Sequence, residues 1–302
     1  MLQKARLCFA LAIAFLSTSA FEMAPASAQE TARDPEGDPQ KDDESPYDPP
    51  LQPSRPKPMP VVPKGKPVEK EGMMLVAGGV FFMGPSMPKA QPRGPLKVAP
   101  FWLDRTEVTV GAYRACVSRG QCPAPHKTST KCSYDSNDLN LPINCVRWAD
   151  AERYCRHDGK RLPSELEWEF AARGPQGLTY PWGLAGGAQT ICKLAATLVS
   201  ERHWGKSCTN GPVRVGSYPK AASPFGVLDM AGNVEEWVSD WYVERPGSTP
   251  PSSGNGYVLR GGSWASPPSM ARGTARTWAS AIEAGPTVGF RCAKAESPSQ
   301  FR

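Results

Sequence analysis

The sequence predicts an α+β domain of irregular build, with little regular secondary structure, over residues 72–296. Three observations predict it. Glycine (28), proline (33) and tryptophan (9) are frequent in a chain of 302 residues, so long uninterrupted elements are not expected. The helical runs are short and alternate with strand-like runs and turns. Nine cysteines are present and eight follow residue 28; an even number in an exported chain reads as a disulfide framework.

The residues before the domain divide in two. Residues 1–28 read as a secretory signal, with Lys4 and Arg6 ahead of the apolar run Leu7 to Leu16 and the small-residue site Ala26-Ser27-Ala28. The run is too short to span a bilayer. A retained anchor is the alternative and would hold the same domain outside the membrane. Residues 29–71 read as a proline-rich disordered linker with 11 prolines and few large apolar residues, a composition that cannot bury a core. Residues 297–302 form a tail. No transmembrane segment is expected after signal removal, which places the domain in the periplasm or outside the cell.

Within the domain, Met73 to Met83 is rich in β-formers around Gly78-Gly79 and reads as a strand or hairpin. Pro85 to Pro100 reads as a proline-broken loop, and Phe101 to Glu107 as a short strand. Thr109 is placed to N-cap a helix through Ser118, with Val110, Tyr113 and Val117 on one face and Gly120 as the stop. Gln121 to Pro142 reads as a loop held by cysteines. Trp148 to His157 is a second helix, closed by Gly159. Ser164 and Glu167 predict a capping box at the start of a third, with Leu166, Trp168 and Phe170 facing the core. Glu165, Glu167 and Glu169 in this first stretch suit the helix dipole and read as structural. Gly174 to Gly216 is mostly loop, and short strands and turns follow.

The net charge of +6 is modest and spread out, with no basic helix or interleaved aromatic stripe, so nucleic acid is not an expected partner. No Cys-x-x-Cys pair occurs, and His126, His157 and His203 are scattered, which argues against zinc. Proximity suggests the pairs Cys116–Cys122, Cys132–Cys145 and Cys192–Cys208.

The stretch Asp229-Met230-Ala231-Gly232-Asn233-Val234-Glu235-Glu236-Trp237 sets two carboxylates, Asp229 and Glu236, on either side of a glycine bend. Calcium takes six to eight oxygen ligands from carboxylates and carbonyls, and such a bend supplies part of a cage. The same spacing also suits an ordinary turn in which Asp229 caps backbone amides and Glu236 is solvated. Around this stretch stand Met74-Leu75-Val76-Ala77-Gly78-Gly79, Gly159-Lys160-Arg161-Leu162-Pro163-Ser164, Tyr180-Pro181-Trp182-Gly183, Leu259-Arg260-Gly261-Gly262-Ser263-Trp264 and Gly289-Phe290-Arg291-Cys292. In this order they resemble the formylglycine-generating enzyme family, also called sulfatase-modifying factors, from Gly72 to about Lys294.

The resemblance implies a C-type-lectin-like fold and a disulfide Cys155–Cys292. It implies a structural Ca²⁺ held by the Asp229 and Glu236 side chains and the Gly232 and Val234 carbonyls. A second family calcium site would fall near residues 188–210, where no ligands are recognisable. The family's oxidases convert a cysteine of a client protein with oxygen and copper(I), a soft ion that needs two thiolates. Here the corresponding positions fall at about Ser266 and Ala271, and no cysteine lies between Cys208 and Cys292. Neither copper nor iron is expected, since no histidine cluster is present either. The resulting expectation is an exported binding or accessory module for a protein, peptide or glycan, with Trp264, Arg276 and Trp278 as candidate groove residues. The alternative is a family oxidoreductase acting by altered chemistry on an exported protein or peptide-derived substrate. Whether the chain is an enzyme stays open at this level.

Overall fold

The computed structural model describes residues 66–84, 92–184, 188–199, 207–244 and 252–296. The signal, most of the linker and the tail lie outside the described residues. In chain order the strands and helices are β1 (Glu69–Lys70), β2 (Met73–Val76), β3 (Gly79–Met83), β4 (Arg93–Val98), β5 (Phe101–Asp104), α1 (Val110–Ser118), α2 (Trp148–His157), α3 (Glu165–Arg173), α4 (Ala188–Ile191), β6 (Glu235–Trp241), β7 (Tyr257–Arg260), β8 (Arg276–Ala279), β9 (Val288–Phe290) and β10 (Ala293–Ala295). This is the irregular α+β class expected, with short elements joined by long loops.

Two four-stranded sheets organise the domain. One runs β1-β2-β5-β10, all antiparallel; the other runs β8-β7-β6-β9, with β9 parallel to β6. β3 and β4 form a separate two-stranded ribbon. The turn from β2 to β3 needs glycine at 78: its φ is 73°, and a Cβ there would lie 2.6 Å from the Val98 carbonyl oxygen. Two departures from the sequence reading occur here. β1 lies inside the stretch assigned to the linker, because Glu69 and Lys70 pair with Met74 and Met73. β4 lies inside the stretch read as loop: Pro95 is tolerated because a two-stranded ribbon leaves one edge of each strand free of ladder bonds.

The helices start where their caps dictate. Thr109 accepts from the Ala112 N–H at the head of α1, and Ser164 and Glu167 close a capping box at the head of α3. α3 buries Trp168 and Phe170 among Phe81, Phe101, Phe225 and Val238 between the sheets. Leu166, expected in the core, is only partly buried at its margin. Glu165 and Glu169, four residues apart, share the inward face. Glu165 holds Arg276 through both oxygens (2.7 and 2.9 Å), and Glu169 bonds Arg260 and Arg173 (2.5 Å each). A second core gathers Tyr113, Tyr154, Trp237 and Phe290 beneath α1 and α2.

All four expected disulfides are present: Cys116–Cys122, Cys132–Cys145, Cys155–Cys292 and Cys192–Cys208. Among the described residues no helix is long and apolar enough to cross a membrane.

Candidate functional site

The stretch from Asp229 to Trp237 is bent by left-handed backbone. Asp229, Gly232 and Asn233 have φ of 57°, 75° and 63°. At Gly232 a Cβ would meet the Ala196 carbonyl oxygen at 2.3 Å, so only glycine fits. The bend makes Asn233 a junction. Its N–H donates to Ala196 O (2.8 Å), its carbonyl accepts from Trp264 N (2.9 Å) and its Oδ1 accepts from Val213 N (2.9 Å). Its Nδ2 donates to Glu107 Oε1 (3.0 Å). Four other segments meet on this one buried residue, two on its backbone and two on its side chain.

β6 then carries Glu236 into the core. Its partner is Arg291, also fully buried. Arg291 Nε donates to Oε2 and Nη2 to Oε1, both at 2.7 Å, and Trp168 Nε1 donates to Oε2 at 2.8 Å. The rest of the guanidinium donates to the carbonyls of Asp104, Arg105 and Leu228. Burial alone would lower the Arg291 pKa, but the charge and hydrogen bonds of Glu236 outweigh it and hold it above the ordinary guanidinium value.

Beside this pair stand two more buried acids. Asp229 Oδ2 accepts from Gly216 N at 2.6 Å, whereas Asp229 Oδ1 and Glu107 Oε2 are buried without a hydrogen-bond partner. Burial pushes the Glu107 carboxyl well above the usual carboxylate range, and the charge of Asp229 adds to it. Burial raises Asp229 as well, opposed by the Gly216 N–H, by Arg291 and by the neighbouring Glu107 carboxyl. Oxygens in this condition bind a proton or a cation.

The calcium set expected from the sequence therefore divides. Asp229 keeps a buried, unpartnered oxygen, as a hard cation requires. Glu236 does not fit: Arg291 already matches its charge and both of its oxygens are bonded, which reassigns it to the ion pair. Glu107, which the sequence reading did not single out, supplies the second unpartnered oxygen. Among the described residues no three acidic, histidine or cysteine side chains converge to hold a metal. Carbonyls would have to complete any shell. The signals that could have revealed the pair were Arg291 and Glu107, single charges set among Val288, Phe290, Cys292 and Val108.

The two positions that correspond to thiolates by resemblance lie in the segment between β7 and β8, Ser266 in a turn and Ala271 at the end of a 3-10 helix. Ser266 Oγ accepts from Ser263 N (3.0 Å) and stands 2.9 Å from Ser263 Oγ. Ala271 is fully buried in a small cluster with Tyr180 and Ile191. A hydroxyl and a methyl group provide no soft ligand, so copper(I) does not fit these residues. The eight cysteines of the described residues are joined in disulfides.

The three groove candidates do not converge. The Arg276 side chain is buried, held by Glu165 and by the Val243 carbonyl (2.7 Å), and lies over the Tyr242 ring; its charge is spent on the fold. Trp278 is exposed and its strand borders a cleft of about 550 Å³, but its ring lies on the sheet face opposite Thr277 and stacks on Tyr242. The cleft is also lined by Glu235, Leu259, Thr277, Glu283 and the segment 284–288. Trp264 does not line it; its Nε1 donates to the carbonyl of Pro286, a lining residue, at 3.4 Å.

Comparison with known proteins follows this geometry. A family model described as the Sulfatase-modifying factor enzyme 1-like domain matches residues 59–296. The chain is similar to the formylglycine-generating enzyme of Streptomyces coelicolor, 37% identical over 167 residues, covering 51% of this chain and 52% of that protein. It is also similar to the inactive C-alpha-formylglycine-generating enzyme 2 of Mus musculus, 35% identical over 161 residues and covering 51% and 49%. The chain spans about half the length of these curated relatives. Among solved structures it resembles PvdO from Pseudomonas aeruginosa, with a TM-score of 0.61 and 27% identity over 74% of this chain and 94% of that one.

Proposed function

We propose, from the premise that this chain belongs to the Sulfatase-modifying factor enzyme 1-like domain family, that it is an exported binding or accessory module without copper-dependent formylglycine-generating oxidase activity. One observation carries the reading. At the thiolate positions stand the hydroxyl of Ser266 and the buried methyl of Ala271, and the eight described cysteines are committed to disulfides. Two thiolates are needed to hold copper(I), and none is free among the described residues. Four disulfides also suit an oxidising compartment, which supports export. An exported protein, a peptide or a glycan is the proposed class of partner.

The test offers the purified chain a sulfatase-type cysteine peptide with copper(I) and oxygen. No aldehyde above the background of copper alone is expected. Aldehyde formed in proportion to the protein would overturn the proposal, and a stoichiometric redox metal in the purified protein would turn the reading towards an oxidoreductase of altered chemistry.

Calcium is part of the same proposal, with an amended ligand set. Asp229 Oδ1 and Glu107 Oε2 are the proposed side-chain donors, and the Gly232 and Val234 carbonyls that the family resemblance implies are the proposed backbone donors. A ligand present at one hundred times its Kd stabilises the folded state by about 2.7 kcal/mol. Calcium at that level should raise the thermal midpoint of the parent over its value in chelator, and Asp229→Ala should abolish the increment. A substitution that costs the same in calcium and in chelator would remove calcium from the site.

A further inference from the structure

β8 is the outermost strand of its sheet, and the alternation of the ladder shows which of its residues face away from it. Tyr242 N donates to Gly256 O at 2.7 Å, so Gly256 bonds towards β6 and the next residue, Tyr257, towards β8. Tyr257 pairs with Ala279 and Leu259 with Thr277, so Ala279 and Thr277 bond inwards to β7. The N–H and C=O groups of Arg276 and Trp278 point outwards, and among the described residues they have no backbone partner. The side chains of these two residues share one face. Arg276 is already held by Glu165 and lies over the Tyr242 ring at 4.7 Å. The Trp278 ring stacks on Tyr242 at 5.9 Å and is 48% exposed. The edge thus presents two donors, two acceptors and an open aromatic ring, which is what an added strand requires.

The sequence contains a segment suited to such an edge. Arg55-Pro56-Lys57-Pro58-Met59-Pro60-Val61 lies outside the described residues and carries proline at every second position. Successive residues of a strand turn their N–H groups to opposite sides, so this segment can donate from one side only. Within a sheet such a sequence is confined to an edge. We propose that residues 55–61 pair antiparallel with β8 of the same chain, with Lys57 opposite Trp278 and Met59 opposite Arg276. In this register the main-chain groups of Lys57 and Met59 meet those of Trp278 and Arg276, and the missing proline N–H groups fall on the outer side. Residues directly opposite share a face, so the Lys57 ammonium lies against the exposed Trp278 ring. The parallel direction would instead bring Arg55 towards Arg276, like charge beside like charge. The connector from Lys57 to Lys66 reaches about 30 Å when extended. A domain of this size has a radius of gyration of about 17 Å. A tether of that length gives the segment an effective concentration near millimolar, well above that of a second copy in dilute solution. The proline-rich segment then closes the edge, because its outer side offers no N–H group to a further strand.

This pairing goes beyond the reading of the chain as a binding module and stands or falls without it, since the aldehyde assay is indifferent to the cover on β8. The experiment reads backbone hydrogen exchange residue by residue on the full chain. The amides of Arg276 and Trp278 are expected to exchange at least tenfold more slowly in the parent than in a Lys57→Pro, Met59→Pro double variant, which loses both inward N–H groups. These substitutions lie outside the folded domain, and the amides of Thr277 and Ala279, bonded to β7, should exchange equally in both proteins. Pro56→Ala with Pro58→Ala leaves the inward groups in place and should keep the protection. Lys57→Gln should reduce it about threefold, by removing the cation from the Trp278 ring. Arg276 and Trp278 amides that exchange in the parent as fast as those of an unstructured peptide overturn the proposal without recourse to any variant. Full protection in the double-proline variant overturns it as well, by assigning the edge to another cover. Protection lost on hundredfold dilution assigns the contact to a second copy and overturns pairing within one chain.

Discussion

Replacing Arg291 with methionine is expected to destabilise the domain by about 3–5 kcal/mol, the cost of leaving a buried charge without its partner. Glu236 and Arg291 are both inaccessible to solvent, and the carboxylate would keep only the Trp168 indole N–H. The loss extends beyond the pair. The same guanidinium bonds the carbonyls of Asp104, Arg105 and Leu228, and so ties β5, the residue that follows it and the residue before the 229–237 stretch to the position just after β9. Urea unfolding of the parent and the variant measures this directly. A double variant, Arg291→Met with Glu236→Leu, should recover part of the loss, because apolar replacement of a whole pair is often neutral. It should not recover all of it, since the carbonyls of Asp104, Arg105 and Leu228 lose their guanidinium donor. A single variant within 1 kcal/mol of the parent would show that the pair contributes nothing beyond packing.

The second large effect is expected from the disulfides, and unequally. In the chain-entropy model, a bridge across a separation of 137 residues, as in Cys155–Cys292, stabilises by about 5 kcal/mol. Cys116–Cys122, with a separation of 6, contributes about 2 kcal/mol. Replacing the first pair with alanines should lower the urea midpoint more than twice as far as replacing the second. Equal shifts would place the stabilisation in local strain or packing instead of in the restriction of the unfolded chain.

Local chemistry was legible in the sequence, and pairing across the fold was much less so. Thr109, Ser164 and Glu167 declare helix starts within three residues of themselves, and the structure places their caps there. Neighbouring cysteines find each other for the same reason, while Cys155–Cys292 needed the resemblance. Proline read as a breaker at Pro95 misled, because the rule holds for central strands and β4 belongs to a two-stranded ribbon. Glu165 and Glu169 were read against the helix dipole. Their partners, Arg276 and Arg260, lie 111 and 91 residues away. The same distance in sequence hid the commitment of Glu236 to Arg291 and of Arg276 to Glu165, which removed one expected metal ligand and one expected groove residue. Spacing reports which side chains share a face, but not which charge waits on the opposite sheet. The hydroxyl and methyl groups at Ser266 and Ala271 were legible at once, because a missing thiolate is a matter of composition.

Val288 to Ala295 belongs to both large sheets, β9 beside β6 and β10 beside β5. Synthesis from the amino end makes this segment after every other element of the domain. Until it arrives, the first sheet lacks an outer strand, Glu236 has no counter-ion and Cys155 has no partner. The domain thus becomes native only when residues up to 295 are in place, and a product broken off before residue 288 leaves two strand edges open to other chains.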